Sequence, residues 1–114
     1  MPNNQPPRGT ESVARFAQHM LQTLNLPKNT CKRHWNSLSL VNLRFLMVEE
    51  YIETFREIVK TQRATTPLQK AQAAQRLAEE AVDLANTAMM LYDYAQELIQ
   101  NAQNMQKDNN HAQD

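Results

Sequence analysis

The sequence predicts an all-α fold, and two observations support that prediction. Gly occurs once in 114 residues, whereas the helix formers Ala, Leu, Gln, Glu and Met are abundant. Apolar residues recur at intervals of three and four, as on one face of a helix. A chain of this length forms one domain and buries only about two-thirds of its unfolded surface. We therefore predict long antiparallel helices in a four-helix-bundle-like core that is completed by dimerisation.

Charge and cysteine content exclude several classes of function. Twelve basic and twelve acidic residues give a formal net charge of zero, so no overall field attracts nucleic acid or an anionic membrane. Cys31 is the only cysteine, which rules out an intrachain disulfide and favours a reducing compartment. The apolar runs are too short for a membrane span or a signal peptide. We expect a soluble cytoplasmic protein without nucleic-acid or membrane partners.

The first helix follows a polar, Pro-rich stretch, residues 1–9, which we interpret as a flexible leader to a helical domain of residues 10–105. Pro27 ends this helix, and a connection with the sequence "KNTCKRHWNS" follows. Trp35 in that connection is a candidate for stacking on a flat ligand, the alternatives being packing or an exposed loop. The one-faced apolar stripe of the helix consists of Val13, Phe16, Ala17, Met20, Leu21 and Leu24.

The second helix is predicted to begin near residues 37–39 and to end near Thr61. It carries two different lines of side chains. One line is acidic and comprises Glu50, Glu53 and Glu57, in continuation of two leucines. The other is the main apolar face, formed by Val41, Val48, Ile52, Phe55 and Val59.

The third helix has the clearest start signal in the chain. In "TTPLQK", Thr66 and Gln69 form a Thr-x-x-Gln capping box, and Pro67 suits the first helical position. No Gly or Pro follows, so residues 67–105 form either one helix or a hairpin that breaks near residues 93–96, before a flexible tail of residues 106–114. A heptad seam runs along this segment through Ala74, Leu77, Ala81, Leu84, Ala88, Leu91, Ala95, Leu98, Ala102 and Met105.

Four acidic residues on the second and third helices predict a metal site. Glu80 and Asp83 are three residues apart and project from one side of their helix. Antiparallel packing would bring them against Glu50 and Glu53. A lone acidic line on a helix is more often a solvated face, but two facing lines cannot stay fully ionised without cations, and hard divalent ions suit oxygen ligands.

The same residues carry a resemblance to a known family. Glu49-Glu50-x-x-Glu53, followed after 26 intervening residues by Glu80-x-x-Asp83, resembles the EExxE and ExxD motifs of the MazG-like, all-α nucleotide pyrophosphohydrolases. The segments "SVARFAQHM" and "LRFLMVEEYIETFREI" are similar to the opening of the phosphoribosyl-ATP pyrophosphohydrolase-like branch. The resemblance covers roughly residues 11–92.

This resemblance implies an enzyme that hydrolyses a nucleoside triphosphate, or a similar nucleotide, to the monophosphate and pyrophosphate. The seam of the third helix and the two differing faces of the second leave more surface than one chain can cover, which predicts a homodimer or homotetramer. The resemblance implies Mg²⁺, with Mn²⁺ as a possible substitute, as the cofactor. In such proteins the metal ligands correspond to Glu50, Glu53, Glu80 and Asp83, and Glu49 would support the cluster or position the attacking water.

Two features depart from the family pattern. The family usually has a Gly-containing turn after its second motif, which this chain lacks. The family also tends to end in an Asn-Met-x-Lys segment that meets phosphate, which makes Asn104 and Lys107 candidate substrate contacts. Here this segment follows Asp83 more closely than the family pattern leads us to expect and lies in a polar tail. A helical interaction or regulatory protein that kept the fold without the activity is therefore the alternative function. A di-metal carboxylate oxidase is disfavoured because its Glu-x-x-His pairs are missing.

Overall fold

The fold consists of a long antiparallel helical hairpin with a shorter helix packed against it. The computed structural model describes residues 8–27 and 39–112. Helix α1 spans Arg8–Leu24, α2 spans Leu40–Arg63 and α3 spans Pro67–Ala112. Within these two ranges there is no strand, so the all-α prediction is confirmed. None of the helices in the described part of the chain is long and apolar enough to cross a membrane.

Side chains cap both helices of the hairpin, and the capping box predicted at the start of α3 is confirmed. The Ser39 hydroxyl accepts a hydrogen bond from the backbone N–H of Asn42 at 3.2 Å and so begins α2. At the start of α3, the N–H of Gln69 donates to Thr66 Oγ1 at 3.1 Å, and the N–H of Thr66 donates to Gln69 Oε1 at 3.4 Å. Only residues 64–66 separate the two helices, so α2 and α3 become antiparallel neighbours.

Helix α3 is continuous, which decides between one helix and two. It has 46 residues and does not break near residues 93–96. It also continues past residue 105 to Ala112, into the predicted flexible tail, because no Gly or Pro interrupts it. The side chains of residues 95–110 are all exposed, so this end of α3 extends beyond the helices that pack on it.

The core lies where the three helices meet. Leu24 of α1, Leu43 of α2 and Met90 of α3 are buried against one another. Burying a leucine or methionine contributes about 1.5–3 kcal/mol, so these contacts hold the helices in register. Asn86 on α3 is also buried, and its Nδ2 donates to the backbone carbonyl of Met20 at 3.2 Å, which fixes α1 on α3. Partly buried side chains complete this core: Leu46, Met89, Leu91 and Tyr94.

The side of α2 that packs on α3 is not its main apolar face. Leu43 and Glu50 are the buried residues of α2. Glu50 belongs to the acidic line, and Leu43 is one of the two leucines that the line continues. On the opposite side lies an exposed apolar stripe that we call the outer face of α2. Its residues, with their exposed fractions, are Val41 (56%), Phe45 (61%), Val48 (51%), Ile52 (43%) and Phe55 (55%). A single chain therefore buries the mixed face of α2 and leaves the more apolar face in contact with water.

Candidate metal centre

The candidate site lies between α2 and α3, about midway along the hairpin. Glu50 and Glu53 come from α2 and Glu80 and Asp83 from α3, and we call these four residues the acidic cluster. Glu50 retains 5% of its accessible surface and Asp83 retains 9%, so the cluster is set into the packed side of the hairpin. Charged side chains are rarely this buried unless they pair or bind a metal.

A threonine hydroxyl holds the two helices together at the level of the cluster. Thr54 Oγ1 lies 2.8 Å from the backbone carbonyl oxygen of Glu50 and 3.3 Å from that of Glu80. The first contact is within α2 and the second crosses to α3. The hydroxyl shares its single proton between the two carbonyls in a bifurcated hydrogen bond and so sets the height at which the carboxylates of the two helices face each other.

The carboxylates converge closely enough to share one cation. Glu50, Glu80 and Asp83 each offer an oxygen atom, and these oxygens all lie within 4.8 Å of one another. The fourth member, Glu53, forms a side-chain hydrogen bond with Glu80. The structure thus brings together the four residues that the sequence predicted as metal ligands, with Glu53 at the edge of the group.

The electrostatics of the cluster are most visible at Glu80. Burial raises the pKa of Glu80 from 4.5 to about 7, and the hydrogen bond from its protonated carboxyl to Glu53 adds to the rise. The negative charges of Glu53, Asp83 and Glu50 act in the same direction. Glu80 therefore holds its proton to a higher pH than an ordinary glutamate does, and a cation in the cluster would compete with that proton.

The donor set fits a hard divalent cation. Glu80 Oε2 is buried and has no hydrogen-bond partner within residues 8–27 and 39–112. A buried carboxylate oxygen without a donor is costly, and a metal ion would satisfy it. All candidate ligands are carboxylate oxygens, which suits Mg²⁺, Mn²⁺ or Ca²⁺ better than the softer metals.

The other predicted site residues do not join the cluster. Glu49 is exposed and lies to one side of the line through Glu50 and Glu53. Asn104 and Lys107 are exposed on α3, and because the helix is continuous, Asn104 lies about 30 Å along it from Asp83. The structure does not bring these two residues to the acids of the same chain. Trp35 lies outside the described residues.

Three polar residues around the cluster were missed by sequence reasoning. Thr54 links the helices, and Thr87 is fully buried and donates from Oγ1 to the backbone carbonyl of Asp83 at 3.1 Å. Asn86 is buried next to Thr87 and holds α1. A signal was present for two of them, because residues 86 and 87 follow Asp83 by three and four positions and so share its side of the helix.

Comparison of the chain with protein-family models, with curated proteins and with solved structures finds no match. The resemblance to MazG-like pyrophosphohydrolases therefore depends on the two acidic motifs and the sequence segments around them.

Proposed function

We propose that this protein is a Mg²⁺-dependent nucleotide pyrophosphohydrolase, which cleaves a nucleoside triphosphate or related nucleotide to the monophosphate and pyrophosphate. The observation that carries the proposal is the convergence of Glu50, Glu80 and Asp83, whose carboxylate oxygens lie within 4.8 Å of one another. Clusters of this kind hold the divalent ions on which phosphate chemistry depends. The family resemblance of the same residues supports the same reaction.

Each acid has a distinct part in this proposal. Glu50, Glu80 and Asp83 hold the ion, which when bound would neutralise phosphate charge and lower the pKa of a coordinated water. Before the ion binds, Glu53 accepts the hydrogen bond from protonated Glu80 and so keeps that carboxyl directed into the cluster. Because Glu50 and Asp83 are buried, solvent screens the interactions of their carboxylates less than it does at the surface. Hydrolysis by water needs no nucleophilic side chain.

A nucleotide screen tests the reaction. Purified protein is incubated with nucleoside triphosphates in the presence of Mg²⁺, and pyrophosphate and phosphate are scored separately. We expect pyrophosphate and the nucleoside monophosphate in equal amounts, with Glu79→Gln, an exposed neighbour of the cluster, as active as the wild type. Release of orthophosphate alone, or equal turnover after Asp83→Asn, would count against the proposal.

The alternative function is a helical interaction or regulatory protein built on the same fold without catalysis. It is favoured by the long exposed end of α3 and by the absence of a Gly-containing turn after the second motif. Metal binding distinguishes the two functions. A divalent cation that raises the melting temperature no more than matched ionic strength does would favour the alternative.

The protein's partner in this proposal is a second copy of itself, in a homodimer that can pair further into a tetramer. The chain exposes 9218 Å², whereas a compact monomer of its mass exposes about 6,400 Å². Its radius of gyration is 19.6 Å, against about 13 Å for a compact domain of this length. The excess surface is larger than the roughly 800 Å² per partner that a standard interface buries.

The outer face of α2 is the surface that a second copy would cover. Its five apolar residues are spaced by four, three, four and three positions, which is the spacing of a helix–helix seam. The acidic cluster lies on the opposite side of the same helix. Pairing through the outer face would therefore complete a four-helix bundle without covering the proposed metal centre.

A further inference from the structure

A basic cavity lies beside the acidic cluster, at the end of the hairpin where α2 turns into α3. Its volume is about 300 Å³. A water molecule occupies about 30 Å³ in the liquid, so the cavity has room for a small polyatomic ion. Three of its lining residues are cations and none is acidic; they are Lys60, Arg63, Ala64, Gln69, Gln72, Ala73 and Arg76.

Helix stability explains two of these cations but not the third. Lys60 and Arg63 lie in the last turn of α2, where positive charge stabilises the negative end of the helix dipole. Lys60 also forms an ion pair with Glu57 at 3.2 Å. Arg76 is well inside α3, is exposed, and makes no ion pair with any residue in the described ranges. Its guanidinium is therefore available to a ligand in the cavity.

Arg76 lies one helical turn away from the acidic cluster, toward the turn between α2 and α3. Arg76 precedes Glu80 by one helical turn, so the two side chains share a side of α3 with their backbones about 6 Å apart along the axis. On α2, Lys60 follows Glu53 by two turns, or about 10 Å. The helices are antiparallel, and Thr54 joins them at the level of Glu80. Arg76 on α3 and Lys60 on α2 are therefore displaced from the acidic cluster toward the same end of the hairpin.

We propose that this basic cavity binds the terminal diphosphate of the nucleotide, the part that leaves as pyrophosphate. The inference rests on the proposed function and names the substrate contact that the acidic cluster cannot provide. A metal held by the cluster would neutralise the negative charge of the carboxylates where one part of the phosphate chain binds. The phosphate oxygens that do not reach the metal would need hydrogen-bond donors that carry positive charge. The planar guanidinium of Arg76 can donate two parallel hydrogen bonds to a phosphate, and the guanidinium of Arg63 can donate in the same way.

Calorimetric titration with inorganic pyrophosphate in the presence of Mg²⁺ tests the proposal. Arg76→Gln should weaken pyrophosphate binding about fivefold, because an exposed charge-assisted contact is lost. Lys70→Gln is the matched control, since Lys70 is an exposed cation on the same helix that does not line the cavity. The control should bind as the wild type does. Arg63→Gln is the second variant, and circular dichroism establishes that all three are folded.

The outcomes separate this inference from the proposed reaction. Wild-type binding that is retained by Arg76→Gln and Arg63→Gln would overturn the cavity as the diphosphate site, even if nucleotides were hydrolysed. Absence of pyrophosphate binding by the wild type would overturn it too. If the wild type hydrolysed no nucleotide but bound pyrophosphate in a way that depended on Arg76, the proposed reaction would fail and the anion site would stand.

Discussion

Glu80 is the residue at which stability and metal binding oppose each other. Its carboxyl lies among three other acids, so its ionised form destabilises the metal-free fold. Glu80→Gln keeps the shape and can still donate to Glu53, and we expect it to raise the free energy of unfolding at pH 8 by about 0.5–1.5 kcal/mol. The same variant should lose most of the rise in melting temperature that Mg²⁺ gives the wild type.

The control for this measurement is Glu79→Gln, which removes a charge from the adjacent exposed position. It should change neither the metal-free stability nor the effect of Mg²⁺. Thermal melts with and without Mg²⁺, at matched ionic strength, give both quantities. A Glu80→Gln variant that responds to Mg²⁺ as strongly as the wild type would remove Glu80 from the proposed ligands.

The raised pKa of Glu80 also predicts how metal-free stability depends on pH. In the unfolded chain this carboxyl loses its proton near pH 4.5, whereas in the fold it keeps the proton up to about pH 7. The folded state binds the extra proton between these values, so the contribution is fully present below pH 4.5 and is lost as pH rises through 7. We expect a loss of roughly 1–2 kcal/mol, reduced from the full linkage value because Glu80 is partly exposed.

Urea denaturation of the metal-free protein at pH 5, 6, 7 and 8 measures this slope. The Glu80→Gln variant should show a flatter profile, because it has no proton to lose at this position. An equal slope in both proteins would assign the pH dependence to other groups. Mg²⁺ competes with the proton, so its stabilising effect on the wild type should grow from pH 6 to pH 8.

The sequence predicted which acids meet but not how deeply they are buried. Spacing alone placed Glu50, Glu53, Glu80 and Asp83 on facing sides of two helices, since helical periodicity is a local property. The nearly complete burial of Glu50 depends on Leu43, which lies two turns earlier and draws that side of α2 against α3. Burial therefore follows from packing between helices, which a one-dimensional pattern does not contain.

At the scale of the helices, Thr54 sets the alignment of α2 against α3. Thr54→Val removes a hydroxyl that reaches the backbone carbonyls of Glu50 and Glu80 and keeps the volume. We expect it to lower the free energy of unfolding by about 1 kcal/mol. It should also weaken Mg²⁺ binding, because no side-chain hydrogen bond would then fix the carboxylates of α2 relative to those of α3. Denaturation and metal titration of one preparation measure both effects.

Thr61→Val is the matched control for this change. The hydroxyl of Thr61 donates to the backbone carbonyl of Glu57 at 2.7 Å, within its own helix. Its loss should cost little stability and leave Mg²⁺ affinity unchanged. Equal effects of the two substitutions on Mg²⁺ affinity would show that the contact between helices does not position the cluster.

Helix boundaries were more predictable than helix faces. Pro67 and the capping box gave the start of α3, because capping uses residues that are adjacent in the sequence. The predicted heptad seam of α3 was less informative: Leu98 and Met105 are exposed, whereas Asn86 and Thr87 are buried. Apolar residues on a long helix can face other chains or solvent, and only the position of its neighbours decides which residues enter the core.

At the scale of the whole molecule, the outer face of α2 predicts an assembly. Ile52→Glu places a charge at the middle of the apolar stripe, and burying an unpaired charge in an interface is strongly unfavourable. We expect the wild type to sediment as a dimer or tetramer at micromolar concentration and the variant to sediment as a monomer. Leu68→Glu, on an exposed residue in the first turn of α3, is the control and should assemble normally.

A compact wild-type monomer at micromolar concentration would refute the assembly. The stripe would then be an exposed apolar surface without a self-partner. Retention of the Mg²⁺ effect in a folded Ile52→Glu monomer would show in addition that the acidic cluster is complete within one chain, as the carboxylates of Glu50, Glu80 and Asp83 suggest.

The short connection between α2 and α3 has a consequence for the rate at which the chain folds. The Thr54–Glu80 contact joins residues 26 positions apart across a three-residue turn, whereas the bond between Asn86 and Met20 joins residues 66 positions apart. Closing the larger loop costs more entropy, so we expect the hairpin to form before α1 docks. Leu24→Val in α1 should then accelerate unfolding and leave the folding rate nearly unchanged in stopped-flow experiments. A folding rate that falls in proportion to the lost stability would instead place α1 in the transition state.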